Sequence, residues 1–159
     1  MVNRALKGRL VTRHRRAPER TIQLDEVVLT AKSGFNINNA VNALNLNALP
    51  LPGIGKCARY VRYALESGFA VKKDAYKALT PRSAKDTGAF LEQKGFRTVN
   101  TTTYQKGDIA IIQNYTGGSP HGHMQMYNGS QWVSDFKQNG FWPGSGYRTH
   151  KPKFSIFRW

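Results

Sequence analysis

The hydrophobic period of this chain changes once, and that change constrains the fold more than any other feature. Up to about residue 94 the apolar residues recur at helical spacing; beyond it they alternate. Cys57, Val61, Ala64 and Leu65 follow the i, i+4, i+7, i+8 pattern of one buried helix face, with Arg59, Arg62 and Glu66 away from it and Gly68 as C-cap. A further helix is predicted over 84–94, with Ser83 as cap, Asp86 three residues on as in a capping box, and Gly95 at its end. Residues 33–49 carry Ile37, Val41, Leu44 and Leu46 near helical spacing and predict a short helix, broken off by Pro50, Pro52 and Gly53. Residues 96–99, 108–112, 123–127, 131–136 and 154–158 then read as strands, with Asn128-Gly129 as a hairpin signal. Helices first and an antiparallel sheet afterwards specify an α+β domain, the helices packed on the sheet.

The chain has 159 residues, enough for one domain with a real core. Residues 21–159 read as that domain, with a short strand over 21–30, and residues 1–20 as a basic arm carrying Arg4, Lys7, Arg9, Arg13, Arg15, Arg16 and Arg20 against Glu19 alone. The net charge of +15 implies an anionic partner: nucleic acid, anionic lipid or the bacterial cell wall. Neither a nucleic-acid-binding motif nor aromatics interleaved with the arm are visible, which argues against nucleic acid. No apolar run reaches the ~20 residues of a membrane span. The Arg-rich start lacks an apolar core and predicts no secretory signal. A single cysteine excludes an internal disulfide and fits a reducing cytosol.

Cys57 falls at the start of the clearest helix. An ordinary thiol has a pKa of ~8.5, so little thiolate exists near neutrality. Unpaired amides and the positive dipole end of a first helical turn favour the anion, and Lys56 adds a neighbouring charge. A cysteine there can equally be a small core residue. Among the four histidines, His123 opens a strand, whereas His121 belongs to the preceding loop, His14 to the arm and His150 to a polar tail. A strand holds a general base more rigidly than a loop does, so His123 is the candidate base and His121 a candidate substrate contact. No ligand cluster supports a metal site, and no cofactor is expected.

The base needs an acceptor at its second ring nitrogen. If the hairpin loop is two residues, Tyr127 pairs with Ser130 and Asp135 turns away from His123. If it is three, Tyr127 pairs with Gln131, His123 faces Asp135 and Met126 lies opposite Trp132. The second register makes Asp135 the candidate; Gln138 and Asn139 are the alternatives.

Gly55-x-Cys57-x-x-Tyr60-Val61, Lys106-Gly107-Asp108-Ile109-Ala110-Ile111 and Gly122-His123-Met124 occur in the order of the nucleophile, Gly-Asp and Gly-His motifs of CHAP domains, within the NlpC/P60-like cysteine peptidases. The segment over 84–99 also resembles the one before the Gly-Asp strand there, and the resemblance covers roughly residues 50–136. It implies a papain-like fold and hydrolysis of peptidoglycan amide bonds, with Cys57 as nucleophile, His123 as base then acid, and Asp135 as orienting residue. Asp108 reads as structural. Tyr60, His121, Trp132 and Trp142 are candidate substrate-binding residues. A small basic hydrolase of this kind resembles interbacterial amidase effectors, made in the cytoplasm, acting in the periplasm or wall of a target cell, and neutralised in the producer by an immunity protein. A phage lysin, a cysteine deamidase toxin acting on a protein, and a nucleic-acid-binding module are the alternatives.

Overall fold

A computed structural model of the chain describes residues 34–159, and residues 35–159 form one compact unit. The expected basic arm and the strand over 21–30 lie outside the described residues.

Helix α1 (Ile37–Asn47) starts where the Asn36 side chain accepts the Asn39 amide at 2.9 Å. It buries Ala40, Val41 and Leu44. Leu46, expected on that face, is 86% exposed, because the stripe through 37, 41 and 44 leaves position 46 on the opposite side. Helix α2 (Cys57–Gly68) packs on α1 and on the sheet through Val61, Ala64 and Leu65. Arg62 and Glu66 were expected to face solvent, yet both are buried. The segment after the helix folds back over them: the Glu66 carboxylate accepts the Asp74 and Tyr76 amides at 3.0 and 2.9 Å, and Arg62 pairs with Asp74 at 3.0 Å. Gly68 is the last helical residue rather than the cap, and a Cβ there would meet the Phe35 ring.

The helix expected over 84–94 is split into a 3-10 turn (Ala84–Asp86) and helix α3 (Gly88–Lys94). Ser83 makes no capping bond; its hydroxyl is 2.7 Å from His121 Nδ1. Gly95, at φ +106°, ends α3 in the left-handed conformation that glycine adopts without strain.

Strands β1 (Arg97–Val99), β2 (Ile109–Ile112), β3 (His123–Tyr127), β4 (Trp132–Val133) and β5 (Phe154–Arg158) form one antiparallel sheet in the order β1-β5-β2-β3-β4. Alternation sends Ile109, Ile111, Met124, Met126, Val133 and Phe157 to the helices. Ala110, Trp132 and Ile156 go to a smaller cluster on the other face, with Tyr104, Tyr127 and Phe141. Helix α4 (Ser145–His150) buries no residue, and its sequence offered no apolar stripe to predict it from.

The β3–β4 turn has neither register considered from sequence. Asn128 Oδ1 accepts the Ser130 and Gln131 amides at 3.0 and 2.8 Å, which closes a four-residue loop and pairs Tyr127 with Trp132. Strand β4 then stops after two residues. The Ser134 amide donates to the Phe136 carbonyl, Val133 bridges Lys137, and the Gln138 amide returns to the Trp132 carbonyl at 3.0 Å.

Candidate active site

The loop before α2 is sewn to that reversal. The Leu49 amide donates to the Asp135 carbonyl and the Lys137 amide to the Leu49 carbonyl, both at 2.9 Å. Asp135 Oδ2 accepts the Ile54 amide at 2.7 Å and the Lys56 amide at 3.1 Å. Gly53 packs against Phe136, where a Cβ would lie 2.7 Å from a ring carbon. The loop therefore reaches Cys57, the first residue of α2, in a fixed conformation. The first-turn amides of that helix have no intrahelical partner.

His123 is buried, 7% exposed, at the start of β3. Gly122 precedes it at φ +66°, and a Cβ there would collide with the Ile112 carbonyl, so only glycine lets the chain enter β3 this closely. His123 Nε2 lies 2.8 Å from Gln138 Oε1. The Gln138 amide nitrogen donates to Gln125 Oε1 at 2.8 Å and to the Gly140 carbonyl at 3.1 Å. Gln125 in turn donates to the Phe141 carbonyl at 2.9 Å. These donor bonds fix which way the Gln138 amide faces, so its oxygen accepts and His123 carries its proton on Nε2. Nδ1 is left with the free lone pair.

The Cys57 sulfur lies beside the Met124 amide, one residue from His123. Burial pushes the thiol up to about 11, and the Asp135 charge pushes the same way; the amides of Met124, Ala58 and Cys57 pull against both. Burial pushes His123 down to about 4, against the hydrogen bond it donates to Gln138 and the charge of Asp135. Both groups are therefore neutral at rest. Tyr147, on α4, has its ring centroid 6.0 Å from that of His123 and stands edge-on to Tyr115 at 4.9 Å. Its hydroxyl is pushed up to about 12 by burial, then by Cys57 and Tyr115, and stays protonated at neutral pH.

The expected site residues divide. Cys57 and His121 line one cleft, with Gly122 and Met124 also in its wall. Asp135 does not meet the His123 ring; its carboxylate is committed to Ile54 and Lys56, and Gln138 holds Nε2 instead. The physical reason is the short β4, whose early reversal returns Gln138 to the histidine. Trp132 is 4% exposed in the small back cluster, on the face opposite Met126 and Val133 rather than in a groove. Trp142 stacks edge-on against Phe141 and Phe154 and does not line the Cys57 cleft. Tyr60 lines a second cavity with Tyr63 and Lys73, which shares Lys56 and Arg59 with the Cys57 cleft but not Cys57 itself. Asp108 is structural: it accepts the Gln105 amide and holds Arg158 through two 2.8 Å bonds. Sequence reasoning missed Tyr115 and Tyr147, which lie in segments without periodicity.

The cleft has a volume of about 610 Å³. Among the described residues no three His, Cys, Asp or Glu side chains gather as metal ligands, and no helix is long and apolar enough to cross a membrane. No protein-family model matches the sequence. No curated protein matches it either. Solved structures do. The type VI native effector–immunity complex Tae3–Tai3 from Ralstonia pickettii contains a chain 38% identical to this one, with a TM-score of 0.67 over 79% of this chain and 99% of that one. The selenomethionine form of that complex gives 41% identity and a TM-score of 0.64 over 75% and 98% of the two chains. With identity at that level over nearly the whole of the relative, this chain belongs to the Tae3 effector family.

Proposed function

We propose that this protein is an antibacterial type VI effector that hydrolyses amide bonds of peptidoglycan with Cys57 as nucleophile. The observation that carries the chemistry is the buried His123–Gln138–Gln125 chain, which leaves Nδ1 of His123 as the free base, one residue from the Met124 amide beside which the Cys57 sulfur lies. The fold supports a papain-like reading: a nucleophile helix packed against the strand that opens with the base.

In this reading Nδ1 takes the Cys57 proton as Sγ bonds to the substrate carbonyl carbon. The oxyanion gathers at the Cys57 amide, where the helix dipole favours negative charge. The C–N bond breaks, His123 returns the proton to the departing amine, and a thioester remains. Water then attacks that thioester, giving its proton to Nδ1. The C–S bond breaks, the proton returns to sulfur, and the product leaves as a carboxylic acid. Gln138 keeps Nε2 protonated throughout, in the place first expected for Asp135.

The effector reading, rather than the phage lysin, rests on the Tae3–Tai3 relatives, and an immunity protein is the implied partner. The site of action is the periplasm of a target cell. Purified protein is incubated with peptidoglycan sacculi and the fragments analysed by mass spectrometry. New amine and carboxyl termini should appear with the wild type and vanish with Cys57→Ala and with His123→Ala. Fragmentation by Cys57→Ala at the wild-type rate overturns the assignment.

A further inference from the structure

The cleft beside Cys57 is lined by Lys56, Arg59, Arg62, Lys77 and Arg82, and no aspartate or glutamate lines it. Three acids near its wall are already engaged, the first of them Asp135, whose carboxylate accepts the Ile54 and Lys56 amides. Glu66 is spent on the Asp74 and Tyr76 amides, and Asp74 on Arg62. Among the described residues, the side chains of Lys56, Arg59, Lys77 and Arg82 have no hydrogen-bond or ion-pair partner. All four are exposed. Their positions are set by ordered backbone. Lys56 donates its amide to Asp135. Arg59 lies in the first turn of α2. The Lys77 amide donates to the Asp74 carbonyl, and the Thr80 amide and hydroxyl both bond the Tyr76 carbonyl, on a segment anchored by Glu66. Four like charges around one cavity repel one another, and a facing anion relieves that cost.

We infer that this cleft is a subsite for the free carboxylates of the peptide on one side of the scissile amide, with Lys77 and Arg82 as its specificity-determining residues and Lys56 and Arg59 on the wall it shares with the neighbouring cavity. Stem peptides of the wall are anionic, through the free carboxyl of a γ-linked glutamate, of a diamino acid and of a chain end. The arrangement selects a substrate by its charge beside the reacting carbonyl and rejects neutral peptides of the same shape. This rests on the proposed amidase activity, and it is tested in a way that separates the two.

A purified muropeptide with free carboxylates is compared with the same muropeptide carrying carboxamides. Binding is read by calorimetry on Cys57→Ala protein, which needs no turnover, and cleavage is read on protein with Cys57 intact. The free-acid muropeptide should bind at least about tenfold more tightly at low salt, with the difference shrinking as salt rises. Its kcat/KM should exceed that of the amide form by a similar factor, through KM. In Lys77→Gln/Arg82→Gln protein the two muropeptides should become equal in both assays. Equal affinity of Cys57→Ala protein for both, or a preference that survives the double substitution, overturns the subsite and leaves the amidase reading standing. Binding preference without any cleavage overturns the amidase reading and leaves the subsite standing. A short single-stranded DNA that displaces the free-acid muropeptide at lower concentration than the muropeptide itself also overturns it, in favour of a phosphate ligand.

Discussion

Cys57 is the only cysteine in the chain, so its titration can be followed by alkylation without interference. The thiol is raised by burial to about 11 from a reference value of 9.0, which is about 3 kcal/mol against forming the isolated thiolate. At pH 7 about one molecule in ten thousand then carries a thiolate, and iodoacetamide should react about a hundredfold more slowly than with a free thiol of ordinary pKa. The rate should climb about tenfold per pH unit and bend only near 11. His123, neutral down to about 4, should leave that profile almost unchanged when replaced by alanine. Asp135→Asn removes the negative neighbour that pushes the thiol up. Its alkylation profile should shift to lower pH while peptidoglycan cleavage does not rise, because thiolate supply and correct placement are separate. A flat, fast alkylation plateau from acid to neutral pH that disappears in His123→Ala refutes this reasoning. It would mean that a thiolate–imidazolium pair stands in the resting site, and that burial costs less than the charges gain from each other.

Four further outcomes follow from the same geometry. Gln138→Leu leaves Nε2–H of His123 and Oε1 of Gln125 buried without these partners, so kcat/KM should fall by about 10² to 10⁴ in the fragment assay, whereas Gln138→Glu should move the acid limb of activity to higher pH by favouring the imidazolium. Asp135→Ala strips the acceptor from the Ile54 and Lys56 amides and should cost about 2–6 kcal/mol in urea unfolding, at about 1–3 kcal/mol for each group. Because the folded pKa of His123 is depressed from 6.5 to about 4, the unfolded chain takes up the proton first. Stability should therefore drop by about 3 kcal/mol as pH falls through that window, a loss that His123→Gln flattens in urea midpoints. Gly122→Ala places a Cβ against the Ile112 carbonyl at positive φ and should lower stability by at least about 1–3 kcal/mol, with loss of cleavage as His123 is displaced; an unchanged Tm counts against it.

Much of the fold was legible because periodicity reports burial directly. The stripe through Cys57, Val61, Ala64 and Leu65, and the alternation in residues 109–112 and 123–127, gave elements whose bounds hold to within a residue or two. The nucleophile and base candidates were legible for the same reason, since each sits at the start of such an element. Asp135 and Gln138 were not separable. Their difference turns on the Asx-closed loop at Asn128 and on the reversal at 134–136, which depend on hydrogen bonds between residues far apart in sequence. Arg62 and Glu66 were misplaced because charge signals solvent unless another segment supplies partners, and here residues 74–76 do. Trp132 illustrates the opposite limit: alternation identified it as a strand residue but could not say that the second face of the sheet has a core of its own. The basic cleft draws its five cations from positions 56 to 82, which no local pattern connects.

The place of β5 in the sheet governs when this protein can become active. Although last in the chain, it lies between β1 and β2 and hydrogen-bonds both, pairing Ile109 with Phe157 and Val99 with Ile156. Until residues 154–158 have left the ribosome, β1 has no partner strand, β2 has only β3, and Asp108 lacks the guanidinium that neutralises it. Folding cannot be completed from the amino end as synthesis proceeds; it waits for contacts about fifty residues apart, such as Asp108 with Arg158. A nascent or truncated chain would thus carry Cys57 and His123 before β2, which pairs with the His123 strand, has its second partner. The sheet that carries His123 would be completed only once residues 154–158 have emerged, however early the helices form.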